Sequence, residues 1–281
     1  MELSVLWPNS TFVAFDTETT GKYPLGAEIC EIAAVKWKGG KEIDRFQTLI
    51  KPTGKMSEEV IKIHNITNEM VIDAPPIAAK VGEFHQFLGE AVAVAHHAPF
   101  DLGFMAIEFE KQGLGLPSTP VLCTSLLSRA VIPESPNHRL QTLVNFLGIE
   151  GGQAHRALDD AIACLNLMFK CLDRLGKGKT VGEVFKAQGP QLIWRDFSLQ
   201  NLRCNRVMEE VISALREQRL VEIIYRGGSR PGQPRTVMPL GLVRNPNGDF
   251  LVAREEKEGT DNSLEEIPKR YFLEKVTKAR S

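Results

Sequence analysis

The chain has 281 residues, of which 43% are hydrophobic and 25% charged, a composition typical of a soluble globular protein with room for about two domains. Its formal net charge of −1 gives no support by itself for a nucleic-acid partner, and no apolar run approaches the ~20 residues that a transmembrane helix needs. Five scattered cysteines without a C-x-x-C pair argue against a disulfide framework and a structural zinc site, and residues 1–10 lack the pattern of a signal peptide. We therefore expect a cytoplasmic protein with reduced thiols.

The first elements along the chain predict a β-meander. Residues 11–16, 28–38 and 42–50 are rich in apolar and β-branched residues, as strands are. Gly39 and Gly40 stand between the second and third of these segments and are a turn signal.

From about residue 57, helices alternate with short strands. We predict helices at 57–63, 77–88, 100–112, 139–147 and 157–175, and strands at 91–95 and 120–124. Three strands followed by alternating helices and strands indicate an α/β domain, a mixed sheet flanked by helices, that we place at residues 1–176.

The last third of the chain differs in pattern. We expect residues 177–200 to be a linker with one possible helix, and residues 201–281 to be a smaller β-rich domain. It is predicted to have a helix at 207–218 and strands at 220–225, 236–243, 250–254 and 270–276, separated by turns rich in Gly and Pro.

The first candidate for chemistry is the pair Asp16 and Glu18. Residues i and i+2 of a strand share a face, so both carboxylates project together where the first buried strand ends. The alternative for this triplet alone is a strand that runs out into a polar loop. Such a short motif remains a hypothesis until other residues join it.

A second acid opens the predicted helix at 100–112. Phe104, Met105 and Phe109 follow Asp101 at +3, +4 and +8, the spacing of a core-facing stripe, so Asp101 is expected to point inward with them. The alternative is an N-cap, in which the side chain accepts from the amides of its own helix.

A third acid lies in the helix at 157–175. Cys164, Leu167 and Cys171 share the face of Asp160, and a carboxylate on an apolar stripe is costly unless it is paired or binds metal. A salt bridge is the alternative. His155 is five positions earlier, off that face, so we expect it in the loop before the helix, where it approaches the same site.

Together these acids indicate a metal site. Several carboxylates in one place repel each other, and the hard cations Mg²⁺ and Mn²⁺, which prefer carboxylate oxygen, relieve that repulsion. Two such ions form the usual arrangement for phosphodiester chemistry, with a histidine available as general base on the attacking water.

Three segments carry a family resemblance: residues 15–21 (FDTETTG), 95–101 (AHHAPFD) and 155–161 (HRALDDA). They resemble the three motifs of the DEDDh 3′–5′ exonucleases, the group of the proofreading subunit of bacterial replicative DNA polymerase, ribonuclease T and oligoribonuclease. The resemblance covers about residues 8–175 and implies a ribonuclease-H-like fold. It also implies a catalytic site with two divalent cations, Mg²⁺ or Mn²⁺. The implied metal ligands are Asp16, Glu18, Asp101 and Asp160, and the implied general base is His155.

The same resemblance implies contacts to nucleic acid. Residues 58–67 (EEVIKIHNIT) are similar to the family segment that touches the terminal nucleotide, through Glu59 and His64. Thr17 and His97, within the first and second motifs, are expected to contact the substrate as well. His97 is a departure, because the family usually has Asn there, although histidine can still donate a hydrogen bond.

Residues 220–226, 235–240, 250–254 and 269–273 resemble a WYL domain, a small Sm-like β-barrel of bacterial regulators thought to bind nucleic acid or nucleotides. The naming triplet is not preserved, since Asp-Phe-Leu at 249–251 stands in its place. We expect a basic pocket for nucleic acid, formed by Tyr225, Arg235, Arg254 and Arg270, because arginine pairs with phosphate and stacks on bases. The alternative is that these arginines are solvated charges at strand edges.

The sequence thus predicts a metal-dependent exonuclease that releases nucleoside 5′-monophosphates from single-stranded 3′ ends, with DNA favoured as substrate. The alternatives are an exoribonuclease and a ligand-sensing, nucleic-acid-binding regulatory module with a vestigial nuclease domain. The residues do not identify a polymerase or repair partner.

Overall fold

The computed structural model describes residues 3–149, 152, 155–245, 247–257 and 263–280. The chain forms two compact units, one of Met1–Thr20 with Ile29–Asp196 and one of Gly21–Glu28 with Phe197–Ser281. Among the described residues, no helix combines the length and the apolar character needed to cross a bilayer.

The first unit is built on a five-stranded mixed sheet. Its strands are β1 (Thr11–Thr19), β2 (Ile29–Lys38), β3 (Lys41–Leu49), β4 (Val92–Ala95) and β5 (Leu122–Cys123). Their order is β3-β2-β1-β4-β5, with antiparallel pairing from β1 to β3 and parallel pairing of β4 with β1 and β5. Gly39 and Gly40, both at positive φ, make the predicted turn between β2 and β3. The predicted meander and mixed sheet are confirmed.

Helices flank this sheet. They are α1 (Glu58–His64), α2 (Ile77–Leu88), α3 (Pro99–Lys111), α4 (Thr124–Val131), α5 (Leu140–Leu147), α6 (Ala157–Leu175) and α7 (Val181–Gln188). The longest of them, α6, packs on β1 and β2 and buries Cys164, Leu167 and Cys171 in the main core. The α/β, ribonuclease-H-like architecture is therefore confirmed.

The structure corrects the expectation of a linker at 177–200. Within this segment, α7 buries Val181, Val184 and Phe185 in the same core as β1 and α6, and the first unit continues to Asp196. A capping box explains the helix start, because Thr180 accepts from the Glu183 amide and Glu183 accepts from the Thr180 amide.

The second unit joins two helices to an antiparallel sheet. Its elements are α8 (Leu199–Arg203), α9 (Arg206–Arg216), β6 (Val221–Tyr225), β7 (Pro234–Val243), β8 (Phe250–Glu255), β9 (Lys269–Phe272) and β10 (Val276–Arg280). The strand order is β10-β6-β7-β8-β9. A single strand was expected at 270–276, but a 3-10 turn at Leu273–Lys275 divides this region into β9 and β10. The β-rich second domain is confirmed.

Candidate active site

The central strand of the first sheet carries two acids of the site. Asp16 and Glu18 are both half-buried on β1, and their separation by one residue places them on one face of the strand. Because β1 lies between β2 and β4, elements that follow either neighbour can reach this face.

Asp101 reaches the site from the first turn of α3, directly after β4. Its side chain is 2% exposed, and its Oδ1 accepts hydrogen bonds from the Thr17 amide over 3.1 Å and the Thr17 hydroxyl over 2.8 Å. The predicted inward orientation is confirmed, because these donors belong to β1 rather than to α3.

Asp160 lies in the first turn of α6 and is buried. Its Oδ2 accepts from the His155 amide over 3.0 Å, and its Oδ1 accepts from Gln141 Nε2 over 3.4 Å. His155 is exposed and lies in the turn before the helix, as predicted, with a left-handed φ of 62°.

The donor set fits divalent metal ions. One carboxylate oxygen from each of Asp16, Glu18 and Asp160 can be chosen so that the three oxygens lie within 4.8 Å of one another. Asp101 lies close enough for its charge to raise the pKa of Asp16. Oxygen donors without cysteine or histidine are the set that Mg²⁺ and Mn²⁺ prefer.

The electrostatics of the cluster favour a cation in the same way. Burial, followed by the charges of Asp101 and Glu18, holds the pKa of Asp16 well above its usual range. Burial and the charge of Asp160 raise the pKa of Glu18 to about 8, and burial raises the pKa of Asp101 to about 7. Deprotonating these groups near neutral pH is therefore costly unless a positive charge compensates.

The residues expected to contact nucleic acid in the first unit divide by exposure. Glu59 is exposed on α1, and His97 is exposed in a left-handed conformation with φ 58°. Thr17 is buried and supports Asp101. His64 is 1% exposed, with its Nδ1 accepting from the Ile66 amide, so its burial speaks against direct contact with a substrate.

The second unit divides its predicted contact residues in the same way. Arg254 and Arg270 are exposed, and the Arg270 guanidinium lies 5.2 Å from the centre of the Phe250 ring. Tyr225 and Arg235 are buried, and Arg235 pairs with buried Glu255 over 3.2 Å. An arginine used in an internal ion pair does not present its charge to a ligand.

Sequence reasoning missed two polar residues that contact the site elements. Gln141 on α5 donates to Asp160, and Glu31 on β2 is fully buried opposite Glu18. The sequence does carry a signal for Glu31, because this glutamate interrupts the otherwise apolar run of residues 29–35.

Comparison with known families agrees with this geometry. Residues 13–168, more than half of the chain, match the family RNase_T, described as Exonuclease, and residues 206–262 match the WYL domain. The chain is 44% identical over 165 residues to the PolC-type DNA polymerase III of Oceanobacillus iheyensis and 39% identical over 175 residues to that of Bacillus subtilis. These alignments cover 59% and 62% of this chain but 12% of each polymerase, so the chain spans a small part of these relatives.

Solved structures show the same fold. Exonuclease X in complex with 5′ overhanging duplex DNA is 26% identical, with a TM-score of 0.51, over 63% of this chain and 99% of that chain. The nuclease domain of 3′hExo, a DEDDh family member bound to rAMP, is 19% identical, with a TM-score of 0.52, over 61% of this chain and 96% of that chain. With the acids of β1, α3 and α6 in one place, the family match shows that the chain belongs to the RNase_T exonuclease family, with a second segment that matches the WYL domain.

Proposed function

We propose that the protein removes nucleotides one at a time from the 3′ end of single-stranded DNA and releases nucleoside 5′-monophosphates. The observation that carries the proposal is the convergence of four acids, Asp16, Glu18, Asp101 and Asp160, at one end of a buried sheet. These residues would hold Mg²⁺ or Mn²⁺. When bound, such ions polarise a phosphodiester and stabilise the charge on the leaving oxygen.

His155 is the proposed general base. His155 is exposed, and its side chain lies close enough to Asp160 for a charge on it to lower the pKa of that acid. Its own amide donates to Asp160, so its position is tied to that of a proposed ligand. In this role it takes a proton from the water that attacks the terminal phosphodiester. General-base catalysis of this kind contributes ~10²–10⁴-fold to a rate.

A cavity next to the second motif supports a polyanionic substrate. Its volume is about 530 Å³, and its lining includes His97, Arg129, His138 and Arg139. None of the described residues that line it is acidic. Arg139 lies two residues before Gln141, which donates to Asp160, so the cavity is joined to the acidic cluster through α5.

The basic lining explains how an acidic cluster and a nucleic acid can coexist. Arg129 lies close enough to His97 and His138 for its charge, after burial, to lower the pKa of both rings. Neither Arg129 nor Arg139 is ion-paired with a described residue. We propose that phosphates on the 5′ side of the scissile bond lie in this cavity, where arginine can bind them.

DNA is favoured over RNA because the relatives at 39–44% identity are named DNA polymerases and Exonuclease X was solved with DNA. In the second unit, Arg254 and Arg270 are the proposed contacts to the strand. Their exposure, together with the Phe250 ring beneath Arg270, supports binding through phosphate pairing and stacking.

The proposal is tested by a pair of substitutions on one helix. Asp160→Asn removes a proposed ligand charge at the buried start of α6, and we expect cleavage of single-stranded DNA to fall ~100-fold or more. Asp173→Asn makes the same chemical change at an exposed position of the same helix, and it should cleave like the wild type. Equal activity of the two variants would remove Asp160 from the mechanism.

A further inference from the structure

A fifth acidic side chain lies beside the four proposed ligands. Glu31 on β2 pairs directly with Glu18 on β1, and directly opposed residues of an antiparallel pair project to the same face. Glu31 is completely buried. After burial and Asp160, its charge is the next cause that raises the pKa of Glu18. A carboxylate in this position either binds the metal ions or is bound by other groups of the protein.

The hydrogen bonds of Glu31 indicate the other use. Its Oε1 accepts from Arg156 Nη2 over 2.9 Å and from Gln47 Nε2 over 3.0 Å. Its Oε2 accepts from Arg156 Nε over 3.2 Å and from the Ala157 amide over 3.2 Å. A carboxylate has about four acceptor sites, so this one is fully used within the protein.

These bonds outweigh the cost of burial. Burial alone raises the pKa of a carboxyl, yet the bonds from Arg156, Gln47 and Ala157 bring the pKa of Glu31 below its usual value. Glu31 is therefore an anion matched to one guanidinium by a two-point contact, the most directional ion pair available to side chains. We call Glu31 and Arg156, with the Ala157 amide, the Glu31–Arg156 clamp.

The clamp holds the start of α6. Arg156 occupies the N-cap position but makes no side-chain cap, and Glu31 supplies the missing acceptor for the first helical amide from a neighbouring strand. On the other side, the amide of His155 is bound by Asp160. The turn of residues 155–157 is thus fixed at both ends, by an acid of β2 and an acid of α6.

This turn needs such support. His155 has a φ of 62°, a left-handed conformation that is unfavourable for a residue with a Cβ. His155 is exposed, so the position of its ring depends on the backbone that carries it. The hydrogen bonds at both ends of the turn therefore also limit the positions that the His155 ring can take.

We propose that Glu31 and Arg156 are positioning residues, which keep the His155 ring directed at the attacking water without touching substrate or metal. This inference rests on the proposed role of His155 as general base. Glu31 should therefore affect the rate of the chemical step and not the affinity for the substrate. Outer residues that orient a catalytic group typically change activity ~10–100-fold when substituted.

The substitution Glu31→Gln keeps the shape and removes the charge. On a 5′-labelled single-stranded DNA oligonucleotide with saturating Mg²⁺, we expect kcat to fall ~10–100-fold and KM to change by less than ~3-fold. Arg156→Lys keeps the charge but loses the two-point contact, so its kcat should lie between those of Arg156→Met and the wild type. Thermal unfolding of each variant shows whether the protein is folded under the assay conditions.

The matched control is the ion pair between Glu134 and Arg174, which also joins α6 to another segment but is exposed. Glu134→Gln removes the same charge from such a pair and should leave both kcat and KM unchanged. Exposed ion pairs contribute little to stability, so the Tm of this variant should stay close to that of the wild type.

A double-mutant cycle with His155→Ala decides whether Glu31 acts through the base. If it does, Glu31→Gln adds little further loss of kcat when His155 is already absent. Full additivity of the two losses, or wild-type kcat in Glu31→Gln, overturns the inference. His155→Ala with wild-type activity would instead refute the proposed base, a failure seen in that variant alone and distinguishable from the Glu31 result.

Discussion

Thr17 donates two hydrogen bonds to one oxygen of Asp101, from its amide over 3.1 Å and from its hydroxyl over 2.8 Å. The residue between the two acids of β1 thereby holds the acid that arrives on α3. In the sequence, Thr17 only separates Asp16 from Glu18. In the structure, it also connects the first motif to Asp101 of the second motif. Thr17 thereby holds Asp101 at a fixed distance from the acids of β1, although these carboxylates repel each other.

Thr17→Val tests this junction. Valine has a methyl group in place of the threonine hydroxyl and keeps the backbone amide, so the amide bond to Asp101 remains and the hydroxyl bond is lost. We expect cleavage to fall ~10-fold or more and the free energy of unfolding to fall by about 1 kcal/mol. Thr11→Val, at the far end of the same strand, is the control and should retain full activity. Unchanged cleavage in Thr17→Val would show that Asp101 does not need this bond.

The acidic cluster also predicts how stability changes with pH. Without metal, Glu18 has a pKa of about 8 and Asp101 of about 7, whereas unfolded carboxyls titrate near 4. Between about pH 5 and 8 the folded protein holds protons that the unfolded chain has released, so the free energy of unfolding falls as the pH rises. We expect the Tm in EDTA to fall over this range.

Bound metal should oppose this fall of the Tm with rising pH. Binding requires ionised carboxylates, so Mg²⁺ or Mn²⁺ should raise the Tm more at about pH 8 than at pH 5. Glu18→Gln removes one of the shifted groups and should flatten the pH dependence in EDTA, while Glu59→Gln, at an exposed position of α1, should keep the wild-type slope. A Tm difference between wild type and Glu18→Gln that does not vary with pH would contradict this assignment.

The cavity beside the second motif predicts a salt-dependent substrate contact. Arg129→Ala and Arg139→Ala should each weaken binding of single-stranded DNA, with kcat at saturation unchanged. Each should also lower the slope of log affinity against log salt by about one, since one phosphate contact is lost. Arg45→Ala is the control, because Arg45 is paired with Glu42 on β3. Unaltered salt slopes in both cavity variants would place the strand elsewhere.

The second unit makes a parallel prediction. Arg254→Ala and Arg270→Ala in the full chain should weaken binding of long single-stranded DNA more than that of short oligonucleotides, with the chemistry on short substrates intact. Fluorescence anisotropy over a series of strand lengths measures this. Arg216→Ala, at an exposed position of α9, is the control. Identical affinities at all lengths would show that this face does not contact the strand.

Much of the fold could be predicted because local signals agree with the tertiary structure. The bounds of α2 and α6 follow from apolar periodicity, and Gly89 and Gly176 end these helices at positive φ. The helix α4 was missed because its eight residues begin immediately after β5 and include Thr124, Ser125 and Ser128, which favour helices weakly. Its burial against α6 stabilises it, and that contact is not visible in a local pattern.

In the site, too, local sequence signals predict some residues, whereas the roles of others depend on tertiary contacts. Asp16, Glu18, Asp101 and Asp160 could be found because strand and helix spacing places each on an inward face. The uses of Glu31 and Arg235 could not, because each depends on a partner far along the chain: Arg156 in one case and Glu255 in the other. A charged residue in an apolar run signals burial with a partner, but the sequence does not say whether that partner is a ligand or another side chain.

The most direct test of the central claim is a gel time course on matched 5′-labelled single-stranded DNA and RNA oligonucleotides, with Mg²⁺, Mn²⁺ or EDTA. We expect a ladder of products that shortens from the 3′ end, forms faster on DNA than on RNA, and disappears in EDTA. A faster ladder on RNA would transfer the substrate assignment to RNA while leaving the site intact. Cleavage that persists in EDTA, or no cleavage of either strand with either metal, would contradict a metal-dependent 3′–5′ exonuclease built on these four acids.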